Sequence, residues 1–204
     1  MSIVRESIPY IVIPLVIGAA AAVFGFWYVG LVFFLLALFM AYFFRDPRRE
    51  PPSDSNVVVS PADGKVTRIE SATAPGGPTL ISIFLSPLDV HINRSPIPGK
   101  IVDVVYSPGK FLMATNENAS LVNEQNALTI QGEKITVVCK QIAGILARRI
   151  ICWKSKGDQL KLGERFGMIK FSSRTDVLLP ANVKVMVAEG DRVRGGVTVI
   201  GRIS

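Results

Sequence analysis

A long stretch without charge near the N-terminus constrains this chain most. From Ile8 to Phe44 the sequence contains no Asp, Glu, Lys, Arg or His. A continuous helix of that length would reach roughly 55 Å, against about 30 Å for the hydrocarbon core of a membrane. The stretch therefore predicts a transmembrane helical hairpin with arms at about Ile8–Phe24 and Leu31–Phe44. The turn is expected near Gly25–Gly30, where glycine and interfacial aromatic residues collect. An amphipathic or buried hairpin packed on the rest of the protein is the alternative.

Arginines on both sides of this hairpin indicate its orientation. Arg5 precedes it, and Arg45, Arg48 and Arg49 follow it. Because positive charge collects on the cytoplasmic side, residues 1–44 are expected to anchor the protein in the cell membrane with the following domain on the cytoplasmic side. A cleaved signal peptide fits less well, because the apolar run is too long and no convincing cleavage site follows it.

The rest of the chain predicts a linker and one β domain. Residues 45–55 combine prolines with dense charge, which suits neither helix nor strand. Residues 56–204 contain short β-branched runs bounded by Gly or Pro, which predict strands. The candidates are Val57–Val59, Lys65–Ile69, Leu80–Leu85, Lys100–Tyr106, Ala127–Gln131, Lys134–Lys140, Met168–Phe171, Val183–Val187 and Val197–Ile203. We expect a mainly β fold, a compact antiparallel domain similar to a barrel-sandwich, with few short helices. Apolar residues at helical spacing predict one of these helices near Ala143–Cys152.

The positive charge of the protein lies outside the hairpin. The net charge is +7, and Arg5 and Glu6 cancel within the first 44 residues. A basic domain beside a bilayer is attracted to anionic lipid headgroups, by about 1 kcal/mol for each nearby Lys or Arg. An anionic membrane surface is therefore the expected partner. Nucleic acid is the rival, but no basic stripe interleaved with aromatic residues supports it.

The composition gives little support for a metal site. Cys139 and Cys152 are the two cysteines, and the chain has a single histidine. This set is too small for a zinc or iron cluster, so no metal is expected and the cysteines are predicted to be reduced.

Three polar segments carry the residue types needed for chemistry. They are Ser60-Pro-Ala-Asp-Gly-Lys-Val66, Phe84-Leu-Ser-Pro-Leu-Asp-Val-His-Ile-Asn-Arg94 and the segment Phe166–Pro180, which contains Lys-Phe-Ser-Ser-Arg. Each is turn-rich and lies between strand-like runs. An Asp, a His and a Ser distributed in this way are the residues that activate a hydroxyl oxygen.

Taken together, the three segments resemble the phosphatidylserine decarboxylase proenzyme family, in its short prokaryotic branch. The resemblance extends from about Arg45 to the C-terminus. In that family the chain cuts itself at a Gly-Ser bond, and the serine becomes a pyruvoyl group. The matching bond here is Ser172-Ser173, so a serine stands where the family has glycine.

The resemblance implies a reaction and a cofactor. Self-cleavage by serinolysis would give a large subunit ending at Ser172 and a small subunit beginning at a pyruvoyl group derived from Ser173, which stay together as a heterodimer. The pyruvoyl ketone would form a Schiff base with a phosphatidylserine-type lipid and accept electrons as carbon dioxide leaves, giving phosphatidylethanolamine without a metal. Ester-linked and archaeal ether-linked lipids fit equally well, because their headgroups are identical.

The resemblance also implies roles for individual residues. Asp63 and His91 are the candidates for activating Ser173 and for proton transfer during decarboxylation, since histidine exchanges protons near neutral pH. In the longer bacterial branch a second histidine lies three residues after the first, and Arg94 occupies that position here. Arg94, Lys170 and Arg174 are candidates for binding the lipid phosphate. A solvated basic rim is the alternative for each of these three.

Two other functions are open at this stage. One is a catalytically inactive, membrane-tethered β module that binds lipid or a partner protein, with Ser172 as the lesion. The other is a serine hydrolase that uses Ser173 with His91, although no Gly-x-Ser-x-Gly motif is present.

Overall fold

The computed structural model describes residues 2–72, 74, 76–112, 122–144, 149–170 and 173–204. The chain divides into two units, Met1–Arg48 and Arg49–Ser204. Each unit has its own architecture, and the site described below lies in the second.

The first unit is a pair of apolar helices. A 3₁₀ turn, Arg5–Ser7, leads into α1, Ile8–Val23, and α2 covers Trp27–Phe43. The strands β1, Ser2–Ile3, and β2, Arg45–Asp46, pair with each other and join the two ends of the unit. The segment Arg5–Val23 has 19 residues and is long and apolar enough to cross a membrane, whereas α2 has 17 residues.

The turn between the helices is shorter than predicted. α1 ends in a Schellman motif, in which Phe26 N–H donates to Ala21 O and Gly25 N–H donates to Ala22 O. Gly25 has φ +85°, a conformation that glycine adopts without a steric penalty. The second helix therefore begins at Trp27, four residues before the predicted start at Leu31.

Two glycines bring the helices close together. A Cβ added to Gly18 would lie 3.1 Å from Gly30 O, and one added to Gly30 would lie 2.9 Å from Gly18 O. Small residues of this kind allow close backbone approach between helices in a lipid environment. Large apolar side chains, including Val16, Val32 and Leu35, are exposed on the outer surface of this pair.

The second unit is the predicted antiparallel β domain. Its strands are β3 Val57–Val59, β4 Gly64–Ser71, β5 Thr79–Leu85, β6 Ile92–Arg94, β7 Gly99–Ser107, β8 Gln125–Gln131, β9 Thr136–Ile142, β10 Ile150–Cys152, β11 Gln159–Leu160, β12 Arg165–Ile169, β13 Ser173–Leu179, β14 Val183–Val185, β15 Arg192–Val193 and β16 Val199–Ile203.

Three sheets build this domain. An eight-stranded sheet has the order β11-β7-β8-β9-β13-β5-β4-β15, and two three-stranded sheets have the orders β10-β12-β6 and β14-β16-β3. All of these ladders are antiparallel, and the large sheet curls into a half-barrel. Apolar side chains from its concave face, such as Ile81, Ile83, Leu128 and Val177, form the core.

The predicted helix near Ala143–Cys152 is wrong in its described part. Residues 145–148 lie outside the described residues, and Ile150–Cys152 form strand β10 instead. The reason lies in the tertiary structure, because the backbone groups of β10 pair with β12, from Ile150 opposite Ile169 to Cys152 opposite Gly167. The end of the predicted strand Met168–Phe171 also differs, because β12 ends at Ile169 and Phe171 is not among the described residues.

Candidate active site

Two chain connections link the large sheet to the small sheet that contains β6 and β12. The first joins β5 to β6, and the second joins β12 to β13. Ser173 pairs with Leu85 at the sheet end, and Ile169 N–H donates to His91 O at 3.2 Å on the other side. This arrangement brings Ser173 and His91 to the same corner of the domain.

The segment Ser60–Val66, which contains Asp63, reaches the same corner. Arg94 N–H donates to Pro61 O at 2.9 Å, which ties the segment containing His91 to the one containing Asp63. In the large sheet, Phe84 pairs with Lys65 on one side and with Arg174 on the other. The strands that follow Asp63 and Ser173 therefore flank β5, roughly 10 Å apart at normal strand spacing.

Ser173 presents a buried hydroxyl. The residue is fully buried, and Ser173 Oγ has no hydrogen-bond partner within the described part of the chain. Because it is paired with Leu85, a core residue, its side chain lies on the concave face of the sheet. A buried polar group without a partner costs about 1–3 kcal/mol, so this hydroxyl does not serve stability. A buried hydroxyl that lowers stability calls for another explanation, and a role as a reacting group provides one.

His91 is held in one tautomer. It is buried, and its Nδ1 lies 3.0 Å from the carbonyl oxygen of Asp89. A carbonyl only accepts hydrogen bonds, so Nδ1 carries the proton and the buried Nε2 carries the lone pair of the neutral ring. Nε2 is therefore the atom of His91 that can take a proton.

The loop that presents His91 is fixed by Asp89. Its Oδ2 accepts a hydrogen bond from Ser86 N–H at 2.8 Å, and its Oδ1 accepts one from Arg192 at 3.0 Å. A carboxylate that binds a backbone N–H three residues earlier closes a tight turn. Asp89 thus sets both the loop geometry and, through its carbonyl oxygen, the tautomer of His91.

Asp63 is largely shielded from solvent and has two strong partners. Arg49 Nη2 donates to Asp63 Oδ2 at 2.6 Å, and Gly195 N–H donates to Asp63 Oδ1 at 2.8 Å. Burial raises the pKa of Asp63 above its ordinary value, while Arg49 and the Gly195 N–H act in the opposite direction. Gly64, the next residue, has no room for a side chain, since a Cβ there would lie 2.2 Å from Phe84 O.

The three predicted phosphate ligands lie in different environments. Arg174 follows Ser173 on β13, so alternation places its side chain on the opposite face of the sheet. There its guanidinium makes a buried bidentate pair with Asp176, at 2.7 and 2.9 Å. Arg94 is also buried, and its Nη1 donates to Gly163 O at 3.2 Å. Lys170 is buried immediately before the connection to Ser173. The structure thus brings Arg94 and Lys170 to the corner and turns Arg174 away from it.

A buried chain of amides also supports this corner, and the sequence did not predict it. Asn126 Nδ2 donates to Gln141 Oε1 at 3.0 Å, Gln141 Nε2 donates to Asn93 Oδ1 at 2.9 Å, and Asn93 Nδ2 donates to Thr175 Oγ1 at 3.0 Å. It links the strand after His91 to the strand of Ser173. Asn93 could have been suspected from its place two residues after His91, whereas Gln141 and Asn126 lie in ordinary strand sequence.

The predicted cleavage bond, between Ser172 and Ser173, lies at the edge of the described residues. Ser172 lies outside the described residues, so the structure describes the site from Ser173 onward. Within the described ranges, no group of three or more His, Cys, Asp and Glu side chains is arranged to hold a metal ion.

Comparison with known proteins identifies the family. The family model described as phosphatidylserine decarboxylase matches residues 36–201. A protein named phosphatidylserine decarboxylase proenzyme from Symbiobacterium thermophilum is 47% identical, with 98% of this chain and 95% of the relative covered. A protein of the same name from Carboxydothermus hydrogenoformans is 46% identical, with 98% of this chain and 95% of the relative covered. Another from Solibacter usitatus is 48% identical, with 99% of this chain and 97% of the relative covered. The chain therefore belongs to the phosphatidylserine decarboxylase family.

Proposed function

We propose that this protein is a membrane-anchored decarboxylase that converts phosphatidylserine to phosphatidylethanolamine, using a pyruvoyl group that it makes from its own Ser173. The observation that carries the proposal is the buried Ser173 hydroxyl, which has no hydrogen-bond partner within the described residues and shares a corner with His91. The names of the relatives support the same activity and, through the word proenzyme, a cleaved mature form.

The first step is attack of Ser173 Oγ on the carbonyl carbon of Ser172. The new C–O bond replaces the peptide C–N bond, so an ester forms and the nitrogen of residue 173 becomes a free amine. Loss of the α proton of residue 173 then expels the upstream chain as a carboxylate. The resulting dehydroalanine takes up water and releases ammonia, which leaves a pyruvoyl group at the N-terminus of the small subunit.

His91 and Asp63 support this step by proton transfer and charge. The neutral His91 has its lone pair on Nε2, so it can take the proton of the Ser173 hydroxyl. An ionised Asp63 in the same corner stabilises the imidazolium that forms. His91 is buried and Asp63 is largely shielded from solvent, so electrostatic interactions between them are stronger than in water.

The second reaction takes place on the lipid headgroup. The pyruvoyl group would supply the electron sink for loss of carbon dioxide from the serine headgroup. Arg94 and Lys170 are the two predicted phosphate ligands that lie in the corner, and we assign the lipid phosphate to them. Arg174 is not assigned to the phosphate, because its guanidinium is paired with Asp176 on the other face of the sheet.

The two products of cleavage remain one protein. The small subunit contributes β13, which pairs with β5 on one side and β9 on the other. Its strands β15 and β16 pair with β4 and β3 of the large subunit. Cleavage breaks one covalent bond and none of these ladders, so a heterodimer follows.

The hairpin determines the location in this proposal. Residues 1–44 would span the cell membrane with both ends in the cytoplasm, residues 45–55 would serve as a linker, and the catalytic domain, 56–204, would lie against the anionic headgroups. The arginines that flank the apolar run and the net charge of +7 support this arrangement. Substrate would then be reached without removal from the bilayer.

Intact mass spectrometry of the purified protein tests the proposal. The expected result is two chains, the smaller beginning at residue 173 with a pyruvoyl group, together with release of carbon dioxide from phosphatidylserine. Ser173→Ala should give a single uncleaved chain without activity. Ser82→Ala is a matched control, because Ser82 Oγ is also buried without a partner in the described part of the chain, yet it lies in the middle of β5. A single inactive chain for the unmodified protein would instead favour the inactive, lipid-binding module.

A further inference from the structure

The guanidinium of Arg49 has an unusual position for a residue that follows a membrane hairpin. Its Nη2 lies 2.6 Å from Asp63 Oδ2, and the two side chains are only 13% and 15% exposed. Its Nε is buried and has no hydrogen-bond partner within the described residues. A guanidinium with a buried, unsatisfied donor is costly, and packing of the domain alone gives no reason to keep one.

The contact is different from the exposed ion pairs of the domain. Arg68 with Glu70 and Arg202 with Asp54 join exposed side chains, and such pairs contribute little because water and salt screen them. The contact between Arg49 and Asp63 is shielded from water by comparison. A charge removed there would therefore change the ionisation of its partner strongly.

We infer that Arg49 is a positioning residue that keeps Asp63 in its charged form during self-cleavage at Ser173. The inference rests on the proposed function, in which charged Asp63 stabilises the cation that forms on His91. It adds to that function a residue outside the three polar segments, five positions after the apolar stretch ends at Phe44.

Burial and nearby charges both affect the pKa of Asp63. Burial raises the pKa of Asp63, and the charge of Asp89 raises it further. Arg49 is the cation that lowers it, and Gly195 adds a neutral N–H at 2.8 Å. Arg49 is thus the charged group that favours an ionised Asp63 in this buried environment.

The sign of the effect follows from this balance. Asp63 acts in its ionised form, so self-cleavage slows as the pH falls through the pKa of Asp63. Loss of an opposite charge at this distance raises the pKa of a carboxyl group by about 1–3 units. When the rate of self-cleavage is plotted against pH, the fall in rate on the acid side should therefore move to higher pH. The rate at alkaline pH should change little.

The test follows cleavage of the full-length chain, made by cell-free synthesis in lipid nanodiscs at low pH and then transferred to buffers from acid to alkaline pH. Arg49→Gln, which keeps a hydrogen-bond donor without charge, should cleave at least about tenfold more slowly on the acid side and approach the rate of the unmodified chain at high pH. Arg49→Lys should restore the original profile, because the contact uses a single N–H group. Arg68→Gln removes one exposed positive charge and should leave the profile in place.

A double variant separates this role from simple folding support. If Arg49 acts through Asp63, Arg49→Gln with Asp63→Asn should cleave no more slowly than Asp63→Asn alone. A uniform loss of rate at every pH, no rescue by lysine, or additive losses in the double variant would overturn the inference. A full-length unmodified chain that stays uncleaved at every pH would overturn the proposed function instead.

Discussion

Ser173 pairs directly with Leu85 in the ladder between β5 and β13, so the first residue after the predicted cleavage bond is already part of a central strand. Seven residues of β13 pair with β5 and five of them also pair with β9, and both partner strands come from the other side of that bond. The proposed nucleophile is therefore fixed in the sheet through its backbone. Cleavage at the predicted bond would leave both of these strand ladders in place.

The cleaved subunits should therefore stay together. Under native conditions, the mature protein in detergent should elute from a size-exclusion column as one species containing both chains. Denaturing electrophoresis of that peak should separate them. Separate elution of the small subunit under native conditions would contradict the strand pairing described above.

Ser172→Gly should be cleaved as fast as the unmodified chain or faster. Glycine adopts bent backbone conformations at a scissile bond that cost more for serine. The rate can be measured by following the two fragments after cell-free synthesis. Slower cleavage of the glycine variant would mean that the Ser172 side chain takes part in the reaction.

His91→Ala should give a folded, full-length and inactive chain. The variant lacks the Nε2 base, while the loop remains closed by the contacts of Asp89 with Ser86 and Arg192. Circular dichroism and electrophoresis check folding and cleavage separately. Normal cleavage with loss of decarboxylation would restrict His91 to the second reaction.

Gln141→Leu should destabilise the domain by about 1–3 kcal/mol for each buried partner that it leaves unsatisfied. Gln141 donates to Asn93 and accepts from Asn126, so its loss interrupts the amide chain twice. Denaturant unfolding in detergent measures the change. Gln159→Leu, at an exposed position on β11, is the matched control and should stay within about 0.5 kcal/mol. Equal stability of the two variants would show that the amide chain contributes nothing.

The full-length protein should remain with membranes through high-salt and alkaline washes. Burial in hydrocarbon is insensitive to ionic screening, whereas attraction of a basic domain to anionic lipid weakens as salt rises. Deletion of residues 1–44 should leave a domain that binds anionic vesicles at low salt and leaves them at high salt. Release of the full-length protein by salt alone would make the hairpin a peripheral element.

Local sequence patterns determined a large part of this structure. The stretch without charge from Ile8 to Phe44 indicated two helices, and the β-branched runs placed strands such as Val57–Val59 and Leu80–Leu85. These features depend on composition and periodicity within short windows, which the sequence displays directly. The order of the three polar segments was likewise enough for a resemblance to the family.

Strand β13 and strand β10 show where local patterns fail. Arg174, Thr175 and Asp176 make β13 look polar, yet the strand is buried at the centre of the sheet because the two charges neutralise each other. Apolar spacing favoured a helix that ends at Cys152, but pairing with β12 makes a strand of Ile150–Cys152. In both cases, contacts between distant parts of the chain override the local preference.

Only the tertiary structure decided how the site residues lie. Strand register places Ser173 opposite Leu85, and alternation along β13 turns Arg174 to the other face. The contact of Arg49 with Asp63 spans 14 positions, and the amide chain from Asn126 to Thr175 joins four strands. Such contacts depend on which strands become neighbours and in which register, and no periodicity within a single segment encodes that choice.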